Sequence, residues 1–374
     1  MSKKLLIVVS SIAFFLSHRL TLAKAALASG YEVHVAIPDS SSRDQEVNHY
    51  GLQYHRIFMN RGGFNPLQDG ISLWSLYRLY RSVKPDIVHH VTMKPILYGS
   101  LAARWARVPA VINAVSGLGY LFIANGWWIK RVRAVVKQCL KWALRYPRRY
   151  VIFQNEHDRQ QFLHEQLLEE QSTFLIRGSG VDMHEFPYTS ELLGTPIVLM
   201  ASRLLWDKGV GEFVAAARYI QQQKNLSVRF VLVGGRDPAN PAVISHRQLK
   251  RWCEEYCIEY WGERTDMPQV MQAAHIICLP SYREGLPRVL VEAAAIGRAI
   301  VTTDTPGCRD VVRDGENGLL VPVKNVEQLV HALMTLLQNP VLRQTMGRRG
   351  RALVEKEYAL EVILQQTLAI YQTL

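Results

Sequence analysis

Short runs of aliphatic and β-branched residues alternate with amphipathic segments along this chain, and this alternation constrains the fold more than any other feature. The runs in the first half are LLIVVS, YEVHVAIP, DIVHHV, AVINAV and YVIFQ, with segments such as RLTLAKAALAS between them. Strands that helices cover on both faces look continuously apolar, so the pattern predicts a parallel α/β sheet. The rhythm restarts after residue 185 with PIVLMAS, VRFVLVGG, IIC and AIVTT. We therefore predict two Rossmann-like domains joined by the linker FPYTSELLGTP, which would act as a hinge.

Charge and cysteine content indicate the compartment and the kind of partner. Lys and Arg number 44 against 32 Asp and Glu, and the net charge of +12 suits an anionic partner. Five cysteines, odd in number and without a CxxC pair, fit free thiols in a reducing cytoplasm. The start of the chain imitates a signal peptide, but His18 and Arg19 follow its apolar run directly, so we predict a buried first strand. No run is long enough to predict a transmembrane helix, which needs roughly 18 apolar residues or more.

Several motifs of common enzyme classes are missing from the sequence. The loop after the first strand, SSIAFFLSHR, has no glycine, which argues against a dinucleotide-binding fingerprint. Neither a P-loop nor an HExxH or G-x-S-x-G motif occurs, and there is no D-x-D pair to hold a metal–diphosphate complex. NAD-dependent oxidoreductases, P-loop kinases and serine hydrolases are therefore disfavoured.

Two cations follow the strand VLMAS. Arg203 comes at the end of that strand, and Lys208 comes just before Gly209 and an amphipathic helix. A cation at a strand end and another at a helix start can converge on one anion, such as a diphosphate. From these residues alone, two solvated surface cations remain an equally acceptable interpretation.

Two further loops follow predicted strands. Gly234 lies in LVGGRD, where paired glycines allow a ligand to approach the backbone or simply form a tight turn. The stretch REGLPRVLVE carries Glu284 and Glu292, with Pro287 suited to the first position of a helix. Ionised carboxylates accept hydrogen bonds from hydroxyls, so this pair suits a sugar or ribose. The alternatives are a helix cap for Glu284 and an exposed helix position for Glu292.

Taken together, these motifs resemble glycosyltransferase family 4, whose members are retaining enzymes with the GT-B fold. Glu284 and Glu292 match the family pattern E-x7-E, and Arg203 and Lys208 fall where the family binds diphosphate. LVGGRD, WGERTDM, LPSYREGLPRVLVEA and DGENGLLVP follow in the family's order. The loops also resemble those of bacterial members that act on polyprenyl-diphosphate-linked sugars. The resemblance implies an acceptor-binding domain over 1–185, a nucleotide-sugar-binding domain over 186–357 across a cleft from it, and a C-terminal helix, 358–374, that rejoins the first domain.

The resemblance also implies roles for individual residues. Arg203 and Lys208 would neutralise the diphosphate leaving group, Glu284 would bind sugar hydroxyls without attacking the sugar, and Glu292 would bind the ribose. These cations replace a metal, so no metal or other cofactor is expected. The catalytic set is Arg203, Lys208 and Glu284. The full donor-binding set is Arg203, Lys208, Gly234, Arg264 at the base, Glu284, Gly285, Leu286, Pro287 and Glu292.

The first half is expected to hold the acceptor. His18 follows the first strand, His90 lies at the end of DIVHHV, and Ser116 and Gly117 begin a glycine-rich loop. Many relatives have a histidine near Ser116, so this sequence departs from the family there. We predict acceptor or sugar contacts for His18, His90, Ser116 and Gly117, with packing as the alternative for His90.

The segment 125–149 is the strongest candidate for membrane contact. Its basic residues recur at helical spacing beside tryptophans, which is typical of helices at an anionic lipid interface. The alternative is an ordinary crossover helix with a solvated basic face. The predicted membrane-binding residues are Trp127, Trp128, Lys130, Arg133, Lys137, Lys141 and Arg145.

The sequence thus predicts a metal-independent, retaining glycosyltransferase that moves a hexose or N-acetylhexosamine from a UDP-sugar. Its partners would be a lipid-linked saccharide, with undecaprenyl diphosphate as carrier, and the inner face of the cytoplasmic membrane. Transfer to a lipopolysaccharide core or another saccharide is the alternative. A basic nucleic-acid-binding protein is a distant third possibility, and the chain lacks a recognisable nucleic-acid-binding motif.

Overall fold

A computed structural model describes residues 2–38, 44–60, 65–117, 127–223, 226–238, 240–256 and 258–374, apart from the side chains of 44–46, 127–130 and 132–134. The chain divides into two compact units. The first comprises Met1–Ser179 together with Ile363–Leu374, and the second comprises Gly180–Val362.

Within its described residues, the first unit is a parallel sheet of seven strands with the order β3-β2-β1-β4-β5-β6-β7. Its strands are β1 (Lys4–Val8), β2 (Glu32–Ile37), β3 (Gln53–Arg56), β4 (Ile87–Val91), β5 (Ala110–Val115), β6 (Arg149–Phe153) and β7 (Thr173–Leu175). Its helices are α1 (Ile12–His18), α2 (Leu20–Ala28), α3 (Asp44–His49), α4 (Pro66–Val83), α5 (Met93–Ala106), α6 (Trp127–Leu144) and α7 (Glu156–His164). The central strands β1, β4 and β5 are almost entirely buried, which is why they appear as unbroken apolar runs.

The second unit repeats this architecture with a sheet whose described strands have the order β10-β9-β8-β11-β12-β13, again all parallel. Its strands are β8 (Ile197–Ala201), β9 (Arg229–Val233), β10 (Ile258–Tyr260), β11 (Ile276–Leu279), β12 (Ala299–Thr303) and β13 (Gly318–Val321). Its helices are α8 (Val210–Gln221), α9 (His246–Glu255), α10 (Met267–Gln272), α11 (Arg288–Ile296), α12 (Pro306–Val311), α13 (Val326–Gln338) and α14 (Pro340–Glu357).

The last helix, α15 (Leu360–Gln372), begins in the second unit and continues into the first. Ile363, Ile370 and Tyr371 of this helix are buried in the core of the first unit, beside β1 and β4. The Tyr371 hydroxyl lies 2.6 Å from Nδ1 of His89, which ties the end of the chain to the middle of β4.

The predicted linker is not a free hinge, because two buried guanidinium groups bind its backbone and one of its side chains to the rest of the second unit. Arg298 is fully buried and donates hydrogen bonds to the Thr189 carbonyl at 2.6 Å and the Ala274 carbonyl at 2.7 Å. Arg343 forms a buried bidentate ion pair with Glu191 at 2.8 Å. A buried charge without partners would cost several kcal/mol, so these groups hold the linker in place.

The boundaries between the two units differ from the sequence prediction at both points where the chain passes from one unit to the other. The first lies at residues 179 and 180, before Phe186, instead of at 185. The second lies at 362 and 363 instead of 357. Backbone hydrogen bonds from Val181 to Tyr358 and from Leu360 to Val181 join the two crossing segments within the second unit.

Candidate active site in the second unit

The sheet of the second unit changes its direction of growth between β8 and β11. From β8 the chain adds β9 and β10 on one side, then returns to add β11, β12 and β13 on the other. Ligands of open parallel sheets bind beyond the carboxyl ends of the strands at such a switch point. Lys208 follows β8 and Glu284 follows β11, so these two predicted site residues flank the switch point.

The side chains of Lys208 and Glu284 form an ion pair. Nζ of Lys208 donates to Oε1 of Glu284 at 2.6 Å, and both side chains are mostly buried. The sequence predicts separate partners for them, a phosphate for Lys208 and a sugar for Glu284. The structure brings them into direct contact, so the cation and the carboxylate share one small region.

Contacts from three neighbouring elements hold the loop that carries Glu284. The Tyr282 amide donates to the Asp207 carbonyl at 2.9 Å, in the turn that carries Lys208. The Tyr282 hydroxyl donates to Oε1 of Glu212, in the first turn of α8, at 2.6 Å. A Cβ added at Gly307 of α12 would overlap the Gly285 carbonyl oxygen, so that helix lies against the loop. The loop is therefore fixed in position before any ligand binds.

Arg203 occupies the edge of the same site. Its side chain is exposed and Nη1 lies 3.0 Å from Oδ2 of Asp237, beyond the carboxyl end of β9. Gly234 has a φ of 137°, and a Cβ there would overlap the Ser202 carbonyl oxygen. The glycine is thus required for the close approach of two backbone segments, whether or not a ligand also approaches it.

Arg264, the residue predicted at the base, forms a bidentate pair with Asp266 and is half exposed. Its loop nevertheless adjoins Gly234, because the Gly234 amide donates to the Gly262 carbonyl at 2.8 Å. The structure therefore places the Arg264 loop beside the predicted donor site, with the guanidinium occupied by Asp266.

Residues 285–287 lead into α11, which begins at Arg288. Pro287 is the N-cap of the helix, one position earlier than predicted, because its ψ of 106° is extended and Arg288 is the first helical residue. Leu286 is half-buried, with its side chain packed against the core of the second unit. Gly285 is half-buried and lies against α12.

Glu292 is buried, in contrast to the exposed helix position that the sequence also allowed. Nε of Arg288, one turn earlier, donates to its Oε1 at 2.6 Å. Burial raises the pKa of the Glu292 carboxyl, the Arg288 charge opposes this rise, and the Glu185 charge adds to it. The chain keeps a carboxylate where its charged form is disfavoured, which is typical of a functional position.

The predicted acceptor residues of the first unit lie in different environments. His90 is fully buried between the Tyr80 hydroxyl, 2.9 Å from Nε2, and Oδ1 of Asn113, 2.8 Å from Nδ1. Burial lowers its pKa to about 4, although the Asn113 hydrogen bond opposes the shift. His90 cannot reach a ligand from this position, and it corresponds to the packing alternative.

The other three acceptor candidates are accessible. The His18 ring stacks on Phe14 at 4.5 Å, at the end of α1. Ser116 and Gly117 directly follow β5 and are half-buried, and the rest of their glycine-rich loop lies outside the described residues. Ser116 lies at the carboxyl end of β5, the edge of the sheet where ligands are expected, whereas His18 lies one short helix beyond the end of β1.

Thr92 is a candidate that sequence reasoning missed. It follows β4 at the switch point of the first sheet, between β1 and β4, and its φ is 76° with ψ 160°. Such a conformation is strained for a β-branched residue, and strained residues are concentrated at functional sites. Tyr282, Glu212 and Gly307 were missed as well, because their roles depend on contacts between loops that are distant in sequence.

The predicted membrane residues lie on or just after α6. The side chains of Trp127, Trp128, Lys130 and Arg133 lie outside the described residues. Lys137 forms an ion pair with Glu165 at 2.7 Å, Lys141 is half-buried, and Arg145 is exposed. Val136, Leu140 and Leu144, whose apolar surface supported the prediction, pack in the core. The second half of α6 therefore buries one apolar face in the first unit and exposes Trp142 and Arg145 on the other, and the membrane contact stays a prediction.

Two searches of the described residues concern metals and membranes. No three or more His, Cys, Asp or Glu side chains in that part of the chain are grouped to hold a metal ion. Among the same residues, each helix is either too short or too polar to span a bilayer.

Family models match both units of the chain. The model described as "Glycosyl transferases group 1" matches residues 185–353, which include the Lys208–Glu284 pair. The model described as "Glycosyl transferase 4-like" matches residues 4–155.

Curated relatives match over most of their length. A Campylobacter jejuni protein named N,N'-diacetylbacillosaminyl-diphospho-undecaprenol alpha-1,3-N-acetylgalactosaminyltransferase is 30% identical over 96% of this chain and 97% of its own. An Escherichia coli UDP-Gal:alpha-D-GlcNAc-diphosphoundecaprenol alpha-1,3-galactosyltransferase is 27% identical over 74% and 72%.

Solved structures share the fold at lower identity. Sucrose-phosphate synthase from Thermosynechococcus elongatus has a TM-score of 0.80 at 19% identity, covering 99% of this chain and 98% of its own. Anabaena HepE in complex with UDP and glucose has a TM-score of 0.79 at 18% identity, covering 100% of both chains. These values establish the similarity of the folds.

Proposed function

The chain belongs to the glycosyl transferases group 1 family and is a glycosyltransferase with the GT-B fold, and we propose that it transfers a hexose or N-acetylhexosamine from a UDP-sugar to an undecaprenyl-diphosphate-linked saccharide. The observation that supports the proposal most is the Lys208–Glu284 pair at the switch point of the second sheet. It provides a cation for a diphosphate and an acceptor for sugar hydroxyls in one place.

Lys208 and Arg203 would stabilise the departing UDP. An ammonium has three N–H donors, so Lys208 can hold Glu284 and a phosphate oxygen at once. Arg203 is exposed and could turn from Asp237 to the second phosphate. Cations placed where negative charge develops lower the barrier directly, and this supports the proposal that no metal is needed. We expect transfer to continue in excess EDTA, and a loss of activity restored by Mg²⁺ would contradict this part.

Glu284 would orient the sugar and would not form a covalent bond to it. Its carboxylate contacts the Lys208 ammonium at 2.6 Å, and that charge weakens its oxygen as a nucleophile. Retention would then occur by attack on the same face, with a leaving phosphate oxygen taking the proton of the acceptor hydroxyl. A covalent sugar adduct on Glu284, trapped with a fluorinated donor and located by mass spectrometry, would rule this out.

Glu292 would bind the ribose hydroxyls of the donor. Its buried carboxylate has Arg288 as one partner, and a carboxylate can accept several hydrogen bonds. The free energy released by those bonds would offset the cost of keeping the charge in the interior.

The names of the two curated relatives support the choice of acceptor and donor. Both names specify a diphosphoundecaprenol-linked saccharide, and the relative that covers 96% of this chain is named as an N-acetylgalactosaminyltransferase. We therefore place UDP-GalNAc first among donors. Such an acceptor is anchored in a bilayer, so the enzyme would work at the cytoplasmic face of the membrane, where UDP-sugars and the net charge of +12 both fit.

A donor and acceptor panel tests the proposal. The purified chain is incubated with UDP-GalNAc, UDP-GlcNAc, UDP-Gal and UDP-Glc, each with a short-chain polyprenyl diphosphate that carries a single N-acetylated amino sugar, and the products are analysed by NMR. We expect one UDP-sugar to give an α-linked product and the Lys208→Ala variant to give none. Transfer only to a lipopolysaccharide core acceptor would replace the proposed acceptor, and no turnover of any donor would refute the proposal.

A further inference from the structure

Helix α4 presents an exposed ridge that no other described element covers. Its residues follow the helical spacing i, i+4, i+7, i+11 and i+14, so they share one face. Leu67, Ile71 and Trp74 form the first part and are 81%, 52% and 59% exposed. Arg78 and Arg81 continue the same face and are also exposed. The opposite face, with Leu76 and Tyr80, is buried in the core of the first unit.

The ridge changes in character along the helix axis. At a rise of 1.5 Å per residue, the apolar part from Leu67 to Trp74 extends over about 10 Å, and Arg81 lies about 21 Å from Leu67. The one acidic residue of α4, Asp69, is largely buried and paired with Lys94 at 3.3 Å. The exposed face therefore runs from aliphatic, through tryptophan, to cationic, with no negative charge.

We infer that this α4 ridge docks on an anionic phospholipid surface with the start of the helix inserted. A bilayer changes from hydrocarbon to anionic phosphates across roughly 5–8 Å of headgroup region on each side, and Arg78 lies about 6 Å from Trp74 along the helix axis. Tryptophan prefers the interface, and arginine reaches the phosphates. The axial order of the ridge matches this gradient.

Neighbouring features support the same orientation. Helix α4 is the helix that follows β3 in the chain, so it begins on the side of the sheet where the strands have their carboxyl ends, and a sheet of this kind binds ligands at that edge. Phe58 is 45% exposed, and its amide donates to the Ser75 hydroxyl of α4 at 3.1 Å, which places another aromatic residue beside the ridge. Insertion of the start of α4 would bring the carboxyl ends of the strands, where we expect the acceptor to bind, close to the lipid.

The choice of a lipid surface rests on the proposed function, because an enzyme with a polyprenyl-linked acceptor meets its substrate at a membrane. The ridge is distinct from the predicted contact on α6, whose apolar residues Val136, Leu140 and Leu144 are buried. It identifies a membrane element that the sequence alone did not reveal.

Vesicle flotation of the full chain tests the inference. Wild type is compared with Leu67→Ser/Ile71→Ser/Trp74→Ala on vesicles of phosphatidylcholine with and without 30% phosphatidylglycerol. We expect the triple variant to lose at least about tenfold in partitioning, since it removes three apolar side chains. Arg78→Gln/Arg81→Gln should lower binding on the anionic vesicles and leave binding to neutral vesicles unchanged.

A matched control carries the same kind of change in the second unit. Leu193, Val341 and Tyr219 are also exposed apolar residues, at 103%, 73% and 55%, and Leu193→Ser/Val341→Ser/Tyr219→Ala should float like wild type. Equal flotation of wild type and the ridge variant, or no flotation of wild type, would overturn the inference. A change from dimer to monomer in the ridge variant, without a change in flotation, would assign the ridge to a second copy of the chain instead.

Transfer to a water-soluble acceptor separates this inference from the proposed function. If the ridge inference fails alone, flotation is the same in all variants and transfer is intact. If the proposed function fails alone, no variant transfers sugar and the difference in flotation persists. Circular dichroism melts of the ridge variant should match wild type, because the replaced side chains are on the surface.

Discussion

His90 in the first unit and Glu292 in the second are both ionisable side chains removed from water, and the two units accommodate them differently. His90 is held neutral between the hydroxyl of Tyr80 and the amide of Asn113, so all its partners are uncharged. Glu292 contacts the charged Arg288, and the same unit contains a second acid–base pair, formed by Lys208 and Glu284. A network of neutral hydrogen bonds is complete without a ligand. In a charged pair beside a ligand-binding edge, either side chain can give up a hydrogen bond to its partner and form one to a ligand instead. The first arrangement stabilises a fold, and the second leaves a site able to bind.

The largest expected effect is a loss of activity when the lysine of the Lys208–Glu284 pair is replaced, and a similarly buried ion pair in the first unit provides the control. Lys208 and Glu284 have side-chain exposures of 18% and 12%, and Lys94 and Asp69 in the first unit have 19% and 12%. Lys208→Ala should lower kcat by about 10²–10³-fold, because it removes a cation from the leaving group. Both Lys208→Ala and Lys94→Ala should cost about 1–3 kcal/mol of stability. Thermal melts and transfer kinetics are measured in parallel, and equal losses of activity would show that Lys208 is only structural.

His90 should make the first unit sensitive to acid. Its folded pKa of about 4 lies below the ordinary value of 6.5, so its contribution to stability is present above pH 6.5 and is lost as the pH falls towards 4. The shift of about 2.5 units corresponds to about 3 kcal/mol. Urea unfolding from pH 7.5 to 4 should show a smaller pH dependence in His90→Gln. Since other histidines also titrate, the difference between the two proteins is the measure, and parallel curves would contradict the buried neutral histidine.

Two glycine substitutions should lower stability to a similar extent and differ in their effect on activity. A Cβ at Gly99 would overlap the His90 ring, and one at Gly307 would overlap the Gly285 carbonyl oxygen. Both Gly99→Ala and Gly307→Ala should cost about 1–3 kcal/mol through overpacking. Gly307→Ala should in addition reduce kcat, because it displaces the loop of Glu284. Measured at a temperature where both variants are folded, Gly99→Ala should retain wild-type activity. If Gly99→Ala lost activity and Gly307→Ala did not, the interpretation that Gly307 positions the loop of Glu284 for catalysis would be wrong.

The smallest effect should appear in Glu292→Gln. Burial raises the pKa of the Glu292 carboxyl, so its contribution to stability is present below the unfolded value of 4.5 and is lost as the pH rises through the folded pKa. At pH 7.5 the glutamine variant should therefore melt at the same temperature or higher. Its KM for the donor should rise about tenfold through loss of a charged hydrogen bond to the ribose. A lower melting temperature with an unchanged KM would make Glu292 a structural residue.

The sequence predicted the long central strands and missed the sheet edges. β1, β4, β5 and β8 are buried along their length and appear as continuous apolar runs. The strands β3, β7, β10 and β13 have three or four residues and are partly exposed, so no such run marks them. Short strands at or near an edge depend on pairing with a neighbour already in place, which only the assembled sheet provides.

The order of residues along the chain indicated which of them could form the donor site, because the strand-to-helix loops of a parallel sheet meet at one edge. The contact between Lys208 and Glu284 did not follow, since these residues are 76 positions apart and meet only because the sheet grows in both directions from β8. The face of a strand on which His90 lies, and the burial of Glu292, were likewise decided by packing. The sequence by itself thus determined the fold class through its local hydrophobic pattern, and it indicated the candidate residues through their positions after strands and their match to the family motifs. Only the tertiary structure decided which charges are paired, which are buried and which remain available to a ligand.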